Sequence, residues 1–432
     1  MAAVTIPNAG TYDLLVDVGF LVDGFVLDDP VKGVLDNTTY VLDGSTSYAS
    51  VADGTLNAQV RRGRQDPDDA FNAGSLTFTL NDTLADGVFN PFDDSPSNPY
   101  YDQAQGVPGL APGRAVQLVR YEGATPEPLF TGFVANYEYQ FQLGGLNTVT
   151  VFCVDNMYRL TTAFMDEHNP TKQFTGARIN AVLDRTEIDY PGGAARNIAT
   201  GTVELGGGAT YKIEQGTNVK AYFDLITYSA ERGRIFVDRS GVLVSQDRIG
   251  STLSGPSVTF SDQGTNVPYN NLSIDFKADE LINRVTVTPL AHSTQTADDA
   301  TSQATYWVKS LDITGSLLDS NADGLALANY LLAPEPEPRF TGVRTWFGSL
   351  TSGQRDDVAI LEIGETVLIE KDIIIGGTPT LHAQESAIEG IEHTIGFASG
   401  HTVQVYTSPT TILTVLILDD PNDGILDTNA LG

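Results

Sequence analysis

Short runs of alternating apolar and polar residues, set apart by clusters of Gly, Asn, Asp and Pro, dominate this chain and argue for antiparallel β-sheet. "GSLTFTL" (Gly74–Leu80), "AVQLVRY" (Ala115–Tyr121), "LFTGFVANYEYQF" (Leu129–Phe141) and "NTVTVFCVD" (Asn147–Asp155) read as strands of a first barrel or sandwich. Between them, the excursion from Phe89 to Arg114 is rich in Pro, Asp and aromatic residues. A loop of this length is usually functional or packs on something outside its own domain.

From about Asp166 the period changes. "GARINAVLDRTE" (Gly176–Glu187) places Ile179, Val182 and Leu183 on one helical face. "NVKAYFDLITYSAERG" (Asn218–Gly233) does the same with Val219, Phe223, Ile226 and Ala230, and its Gly233 reads as a C-cap. "RIFVDRSGVLVSQDR" (Arg234–Arg248) reads as a hairpin turned by Arg239-Ser240-Gly241. Strands return with "VTFSD", "NLSIDF", "NRVTVTPL" and "ATYWVKSLDI". One helix follows at Asn321–Pro338, stopped by its Pro run, and then "AILEIGETVLIEK" (Ala359–Lys371) and "GIEHTIGFASGHTVQVYT" (Gly390–Thr407). The expected fold is mainly β with an α/β insert: two β-barrel or sandwich domains flanking a small α+β region. The expected bounds are an N-terminal docking segment at 1–48, a first β-barrel at 49–165, the insert at 166–255, a second β-rich domain with one covering helix at 256–407, and a C-terminal docking segment at 408–432.

Charge narrows the function. The 432 residues carry 55 Asp and Glu against 24 Lys and Arg, a net charge of -31. Such a surface repels phosphate, which argues against nucleic-acid binding and suits a wall past which nucleic acid slides. The single cysteine, Cys153, lies in an alternating run as a small core residue and excludes an intramolecular disulfide. The N-terminus lacks the basic and apolar regions of a signal peptide, and no run of about 18 apolar residues exists. Assembly in a cytoplasm is the expectation.

Chemical motifs are sparse. "DSNADG" (Asp319–Gly324) has the opening of a calcium loop, but Tyr330 stands where a bidentate Glu is needed. Asn321 or Asp323 as a helix cap is the plainer reading of Asp319–Asp323. His393 and His401 lie eight apart across a Gly-containing turn and are placed to face each other on a hairpin, with His382, Glu389 and Glu392 nearby. No H-E-x-x-H, nucleophile elbow, phosphate loop or dinucleotide fingerprint occurs, and Gly206–Gly208 alone makes no phosphate cradle. "RRGR" (Arg61–Arg64), a basic island in an acidic chain, fits an internal or intersubunit salt-bridge role. The expectation is a non-enzymatic chain without cofactor or metal. A glycosidase would need two carboxylates flanking its bond, and the many acidic residues supply candidates. A carbohydrate surface would draw on Phe89, Phe92, Tyr100 and Tyr101.

One short phrase is written at both ends. "VLDDPVKGVLDN" carries Leu27, Asp28, Asp29, Pro30, Gly33, Leu35 and Asp36, and "ILDDPNDGILDT" carries Leu418, Asp419, Asp420, Pro421, Gly424, Leu426 and Asp427. Aliphatic residues around an Asp-Pro-Gly turn read as strand–turn–strand elements that dock on a neighbour by adding strands to its sheet. Deleting Thr414–Gly432 is expected to block assembly while leaving the core folded; a deletion that yields normal particles would contradict this.

An ordered series of segments gives a resemblance. It includes "VLDDPVKGVLDN", "VRRGRQDPDDAFNAGSLTFTLND", "GVFNPFDDSPSNPYY", "PGRAVQLVRYEG", "PLFTGFVANYEYQF", "TVTVFCVDNMYRL", "GARINAVLDRTEID", "GRIFVDRSGVLVSQDR", "LALANYLLAPEPEPRF", "ILEIGETVLIE" and "IEGIEHTI". In this it resembles the minor tail proteins of long-tailed actinobacteriophages (siphoviruses), of the tail-tip or baseplate hub type. The resemblance implies two tail-tube-like β-barrel domains around an α/β portion, and a homotrimer that matches a six-fold tube to a three-fold tip. It implies a virion location at the tail tip. Its partners would be the distal tail protein, the tape measure protein and other tail-tip proteins, with phage DNA passing transiently and without specific binding. A six-fold distal ring component or a cell-wall-degrading tail-tip enzyme are the other readings.

Overall fold

The computed structural model describes residues 3–17, 48–66, 69–82, 87–93, 95, 97–98, 100–101, 111–122, 125–247 and 255–409. Both repeated terminal phrases, from Leu27 to Asp36 and from Leu418 to Asp427, lie outside them.

The alternating runs form strands, and among the described residues fourteen join one sheet. In chain order these are β1 (Val4–Ile6), β2 (Gly10–Asp17), β3 (Tyr48–Ser50), β4 (Thr55–Gly63), β5 (Ser75–Asn81), β6 (Ala115–Tyr121), β7 (Pro126–Gln140) and β8 (Thr148–Val154), then β9 (Val258–Ser261), β10 (Asn271–Asp275), β11 (Arg339–Trp346), β12 (Thr366–Ile375), β13 (Thr378–Gly396) and β14 (Gly400–Pro409). The sheet curls into a half-barrel, and the protein is mainly β with a few helices, as its alternation requires. Inward residues such as Leu76, Phe78 and Leu80 of β5 alternate with outward Ser75, Thr77 and Thr79.

The order of strands within this sheet contains a repeat. Five run β6-β7-β8-β5-β4, and five more run β12-β13-β14-β11-β10. Both sets are threaded by the chain in the same sequence, and every pairing within each set is antiparallel. Even the irregularity recurs: β7 slips register against β8 between Val134 and Asn136, and β13 slips against β14 between Ile388 and Gly390. The chain thus carries one five-strand motif twice. The two copies share a sheet because β4 pairs antiparallel with the C-terminal half of β13, Gly63 opposite Gly390 through Asn57 opposite Gly396. They also share one core, from Tyr12, Phe78 and Phe130 to Phe260, Phe347 and Ile391.

The insert has its own core. It holds α1 (Met157–Thr162), α2 (Thr175–Leu183) and α3 (Val219–Ile226), with Ile179, Val182, Leu183, Phe223 and Ile226 buried on the expected faces. Asn218 caps α3 by accepting from Ala221 N–H. The helix ends differently from the expectation. It runs on through a π-turn to Glu231, and Arg232, not Gly233, takes the left-handed conformation at φ 53°. Gly233 is needed for another reason: a Cβ there would stand 2.0 Å from the Gln246 carbonyl oxygen. The Arg234–Val237 and Leu243–Gln246 hairpin forms as read, its turn tied by the Asp238 carboxylate to the Ser240 and Val242 amides.

Residues 282–332, which the sequence reading places with the second β-rich region, pack on the insert's core instead. Arg284–Pro289 pairs with Gln295–Asp298 and Ser310–Ser316 in a separate three-stranded sheet covered by α5 (Asn321–Tyr330). "ATYWVKSLDI" is not one strand, because its first residues end α4 (Ala300–Tyr306), which Asp299 caps through Ser302 N–H. A further helix, α6 (Ser352–Ala359), was not expected, although Thr351 and Gln354 form a capping box at its start.

Candidate assembly interface

The seam between the two motifs is where charge concentrates. The Arg61–Arg64 island lies along β4, and each of its arginines meets an acid from the second motif. Arg61 reaches Glu392 at 3.2 Å, Arg62 pairs with Glu362, and Arg64 Nε donates to Glu389 at 2.8 Å. The island is thus an internal set of ion pairs. Glu389 is its centre: it is the residue extruded by the slip in β13, it is buried, and it also accepts from Arg234 of the insert at 2.6 Å and from the Ser408 hydroxyl at 2.6 Å. Burial alone would push its carboxyl up, but Arg234 and Arg64 overcome that and hold it down at about 2. One carboxylate therefore binds both motifs and the insert.

A second cluster links β6 to α6. Arg120 is fully buried, donating from Nε to the Ala9 carbonyl at 3.0 Å and from Nη1 to Asp356 at 3.0 Å and Glu127 at 3.3 Å. It also pairs with Glu122, which Arg355 of α6 holds from the other side. Burial raises the Glu127 carboxyl, with Asp356 adding to the rise, while the hydrogen bond from Arg355 lowers Glu122.

His393 and His401 do face each other, as their spacing implied. Both are buried, with His393 Nδ1 3.0 Å from His401 Nε2, and His401 Nδ1 2.7 Å from the Tyr12 hydroxyl. Tyr12 donates its one proton to the Ala9 carbonyl. It must therefore accept from His401 Nδ1–H, and His401 Nε2 must accept from His393 Nδ1–H. His393 Nε2 is left as a bare lone pair with no partner. Burial, then the field of Arg62, lowers His393 to about 3, and burial with the neighbouring imidazole lowers His401 well below its usual range. Both rings are neutral at pH 7. His382 is exposed, and Glu389 and Glu392 are engaged by arginines, so the three do not gather around the imidazole pair.

This pair makes a direct pH prediction. In a nitrogen NMR titration, two of the five imidazoles should stay neutral and Nδ1-protonated at pH 5, where a free imidazole of pKa about 6.5 is mostly charged. Because their folded pKa values lie below the unfolded one, the pair's contribution to stability falls as pH drops below about 6.5 and levels off near the folded values. Fewer than two rings remaining neutral at pH 5 would refute the buried, neutral chain.

The other motifs resolve into structure. At Asp319–Asp323 the helix cap is Ser320, not Asn321 or Asp323: its hydroxyl accepts from Asp323 N–H and donates to the Asp323 carboxylate at 2.6 Å. Lys172 takes Asp319 at 2.8 Å and Glu204 at 3.1 Å, so an ammonium stands beside the residue that would be the first ligand of a calcium loop. Among the described residues no three His, Cys, Asp or Glu side chains converge on a metal position. Gly206 lies against the Tyr211 ring, where a Cβ would be 2.1 Å away. Cys153 is a buried core residue, and burial raises its thiol pKa. Of the aromatic loop, Phe89 and Tyr100 pack together in the core at a centroid separation of 5.0 Å, leaving Phe92 exposed. Among the described residues no helix is long and apolar enough to cross a membrane.

What remains outward is a set of apolar edges and tips. Phe141, Leu143 and Leu146 crown the β7–β8 hairpin, and Ile374, Ile375 and Leu381 crown the β12–β13 hairpin. Ile274 on β10, the last strand of the sheet path, and Phe276 just past its end stand exposed. Sequence reasoning missed these positions, since an apolar residue in a strand gives no sign of which edge lacks a neighbour.

The architecture is shared with solved tail proteins. A tail protein from Neisseria meningitidis MC58 superposes with a TM-score of 0.53 at 15% identity, covering 86% of this chain and 95% of its own. The 43 kDa tail protein of prophage MuSo2 from Shewanella oneidensis superposes with a TM-score of 0.52 at 11% identity, covering 92% and 98%. At such identities the likeness is one of fold. No protein-family model and no curated protein sequence matches the chain.

Proposed function

We propose that this chain is a structural protein of a phage tail, of the long-tailed actinobacteriophage kind, and that it forms the tail-tip or baseplate hub. The observation that carries the reading is the five-strand motif repeated within one chain. Three copies of such a chain offer six equivalent motifs, which is what a three-fold tip needs in order to meet a six-fold tube. The shared fold with tail proteins supports the same reading, as does a net charge of -31, which keeps a DNA exit path from adhering to its cargo. In this role the hub joins the tail tube to the distal tip, contacts the distal tail protein, the tape measure protein and other tail-tip proteins, and performs no catalysis.

The test is the number of copies per purified tail, by quantitative mass spectrometry against the tube and tape measure proteins. Three copies are expected. Six would make the chain a distal ring component, and release of sugar or peptide from cell walls by the purified chain would point to an enzyme.

A further inference from the structure

Within the chain, β4 closes the outer edge of β13 along Gly390–Gly396. The strand orders make β10 the counterpart of β4, and β7 the counterpart of β13. The register slips align them residue by residue: Val134 and Asn136 answer to Ile388 and Gly390, and Ala58 and Gln59 opposite Phe78 and Thr77 answer to Leu272 and Ser273 opposite Val343 and Gly342. Among the described residues, β7 is paired with β6 only through Phe133, so its Asn136–Gln140 stretch is open on that side, and β10 pairs only with β11. Each motif therefore has the half of the joint that the other lacks.

We propose that copies of this chain join through these two edges, β10 of one copy lying antiparallel on Asn136–Gln140 of the next and repeating between chains the β4–β13 pairing inside each chain. The partner is a second copy, and the proposal rests on the hub reading. Transferring the internal register sets Leu272 opposite Phe141, Ile274 opposite Tyr139 and Phe276 opposite Tyr137. These six apolar or aromatic side chains share one face, and three of them are otherwise exposed: Ile274 by 45%, Phe276 by 66% and Phe141 by 72%. Cross-strand pairs of this kind are the unit of sheet stability. On the other face Ser273 meets Gln140, as Gln59 meets Thr394 within the chain. Asp275 meets Glu138 but brings its own cation, Lys277 at 2.6 Å, where the internal seam uses Arg61 against Glu392. Head-to-tail contacts close into a ring when the rotation between copies completes a circle, as three-fold symmetry does, and pairing also removes two exposed sheet edges that would otherwise invite aggregation.

The experiment places Gln140→Cys and Ser273→Cys in one full-length chain and treats both the purified protein and assembled tails with a short bis-maleimide. The native Cys153 is buried and stays silent. Covalent dimers and closed trimers are expected, with none from a control pairing Gln140→Cys with Thr314→Cys on the insert sheet. A second variant, Ile274→Asp, changes an exposed residue; it should keep the melting temperature and weaken self-association by at least about tenfold in light scattering. Three copies per tail without the 140–273 link would overturn the pairing and leave the hub intact. Six copies per tail would overturn the hub, and an Ile274→Asp chain that associates normally would overturn the pairing alone.

Discussion

Glu389→Gln is expected to lower folding stability by roughly 3–5 kcal/mol, the usual result of removing one member from a buried ion-pair set. The amide fits the same space, so the loss is electrostatic. Arg64 and Arg234 keep their charges while losing the carboxylate they share, and the Ser408 hydroxyl loses an acceptor. Because Glu389 is held at about 2 in the fold against about 4.5 unfolded, its contribution is present above pH 4.5 and is lost as pH falls toward 2. The deficit of the variant should shrink over that window. Urea midpoints for both proteins at pH 7 and pH 3 measure this. A deficit under about 1 kcal/mol at pH 7, the range of exposed pairs, would mean that water reaches the seam.

Arg120→Met should cost a similar amount, roughly 3–5 kcal/mol, and should act at a different place. Arg120 is the buried cation between Glu122, Glu127 and Asp356. Without it, Glu127 and Asp356 repel each other, and the Ala9 carbonyl loses one of its two donors, keeping the Tyr12 hydroxyl. Glu122 retains Arg355. Methionine fills the stem's volume beside Phe347, over whose ring the guanidinium now stands at 5.2 Å. Amide hydrogen exchange should therefore accelerate at α6 and the β2–β6 pair before it does in the insert. Uniform acceleration, or none, would show that the cluster does not hold α6 to the sheet.

Much of the local structure was legible. β5, β6, β7 and β8 follow from alternation, α2 and α3 from helical spacing, and the hairpin at Arg239-Ser240-Gly241 from its turn residues. The facing imidazoles of His393 and His401 followed from a count of eight across a turn, and the internal role of Arg61–Arg64 from their sign in an acidic chain. α6 could have been found from Thr351 and Gln354, but its apolar face is short and the cap signal went unread. Arg284–Pro289 has the alternation of a strand but packs on the insert and not on the second β region, because alternation specifies a buried face and not what buries it.

Side-chain period and net charge are local or summed properties, so the residues alone gave a mainly β protein, the place of most strands and principal helices, and a net charge of -31. Long-range pairing alone makes the two β regions one sheet built from one motif twice, sets Glu389 where both motifs and the insert meet, and, among the described residues, leaves β7 and β10 with open edges. These depend on which strands pair across hundreds of residues, and a backbone hydrogen bond carries no trace of its distant partner in the residues that make it.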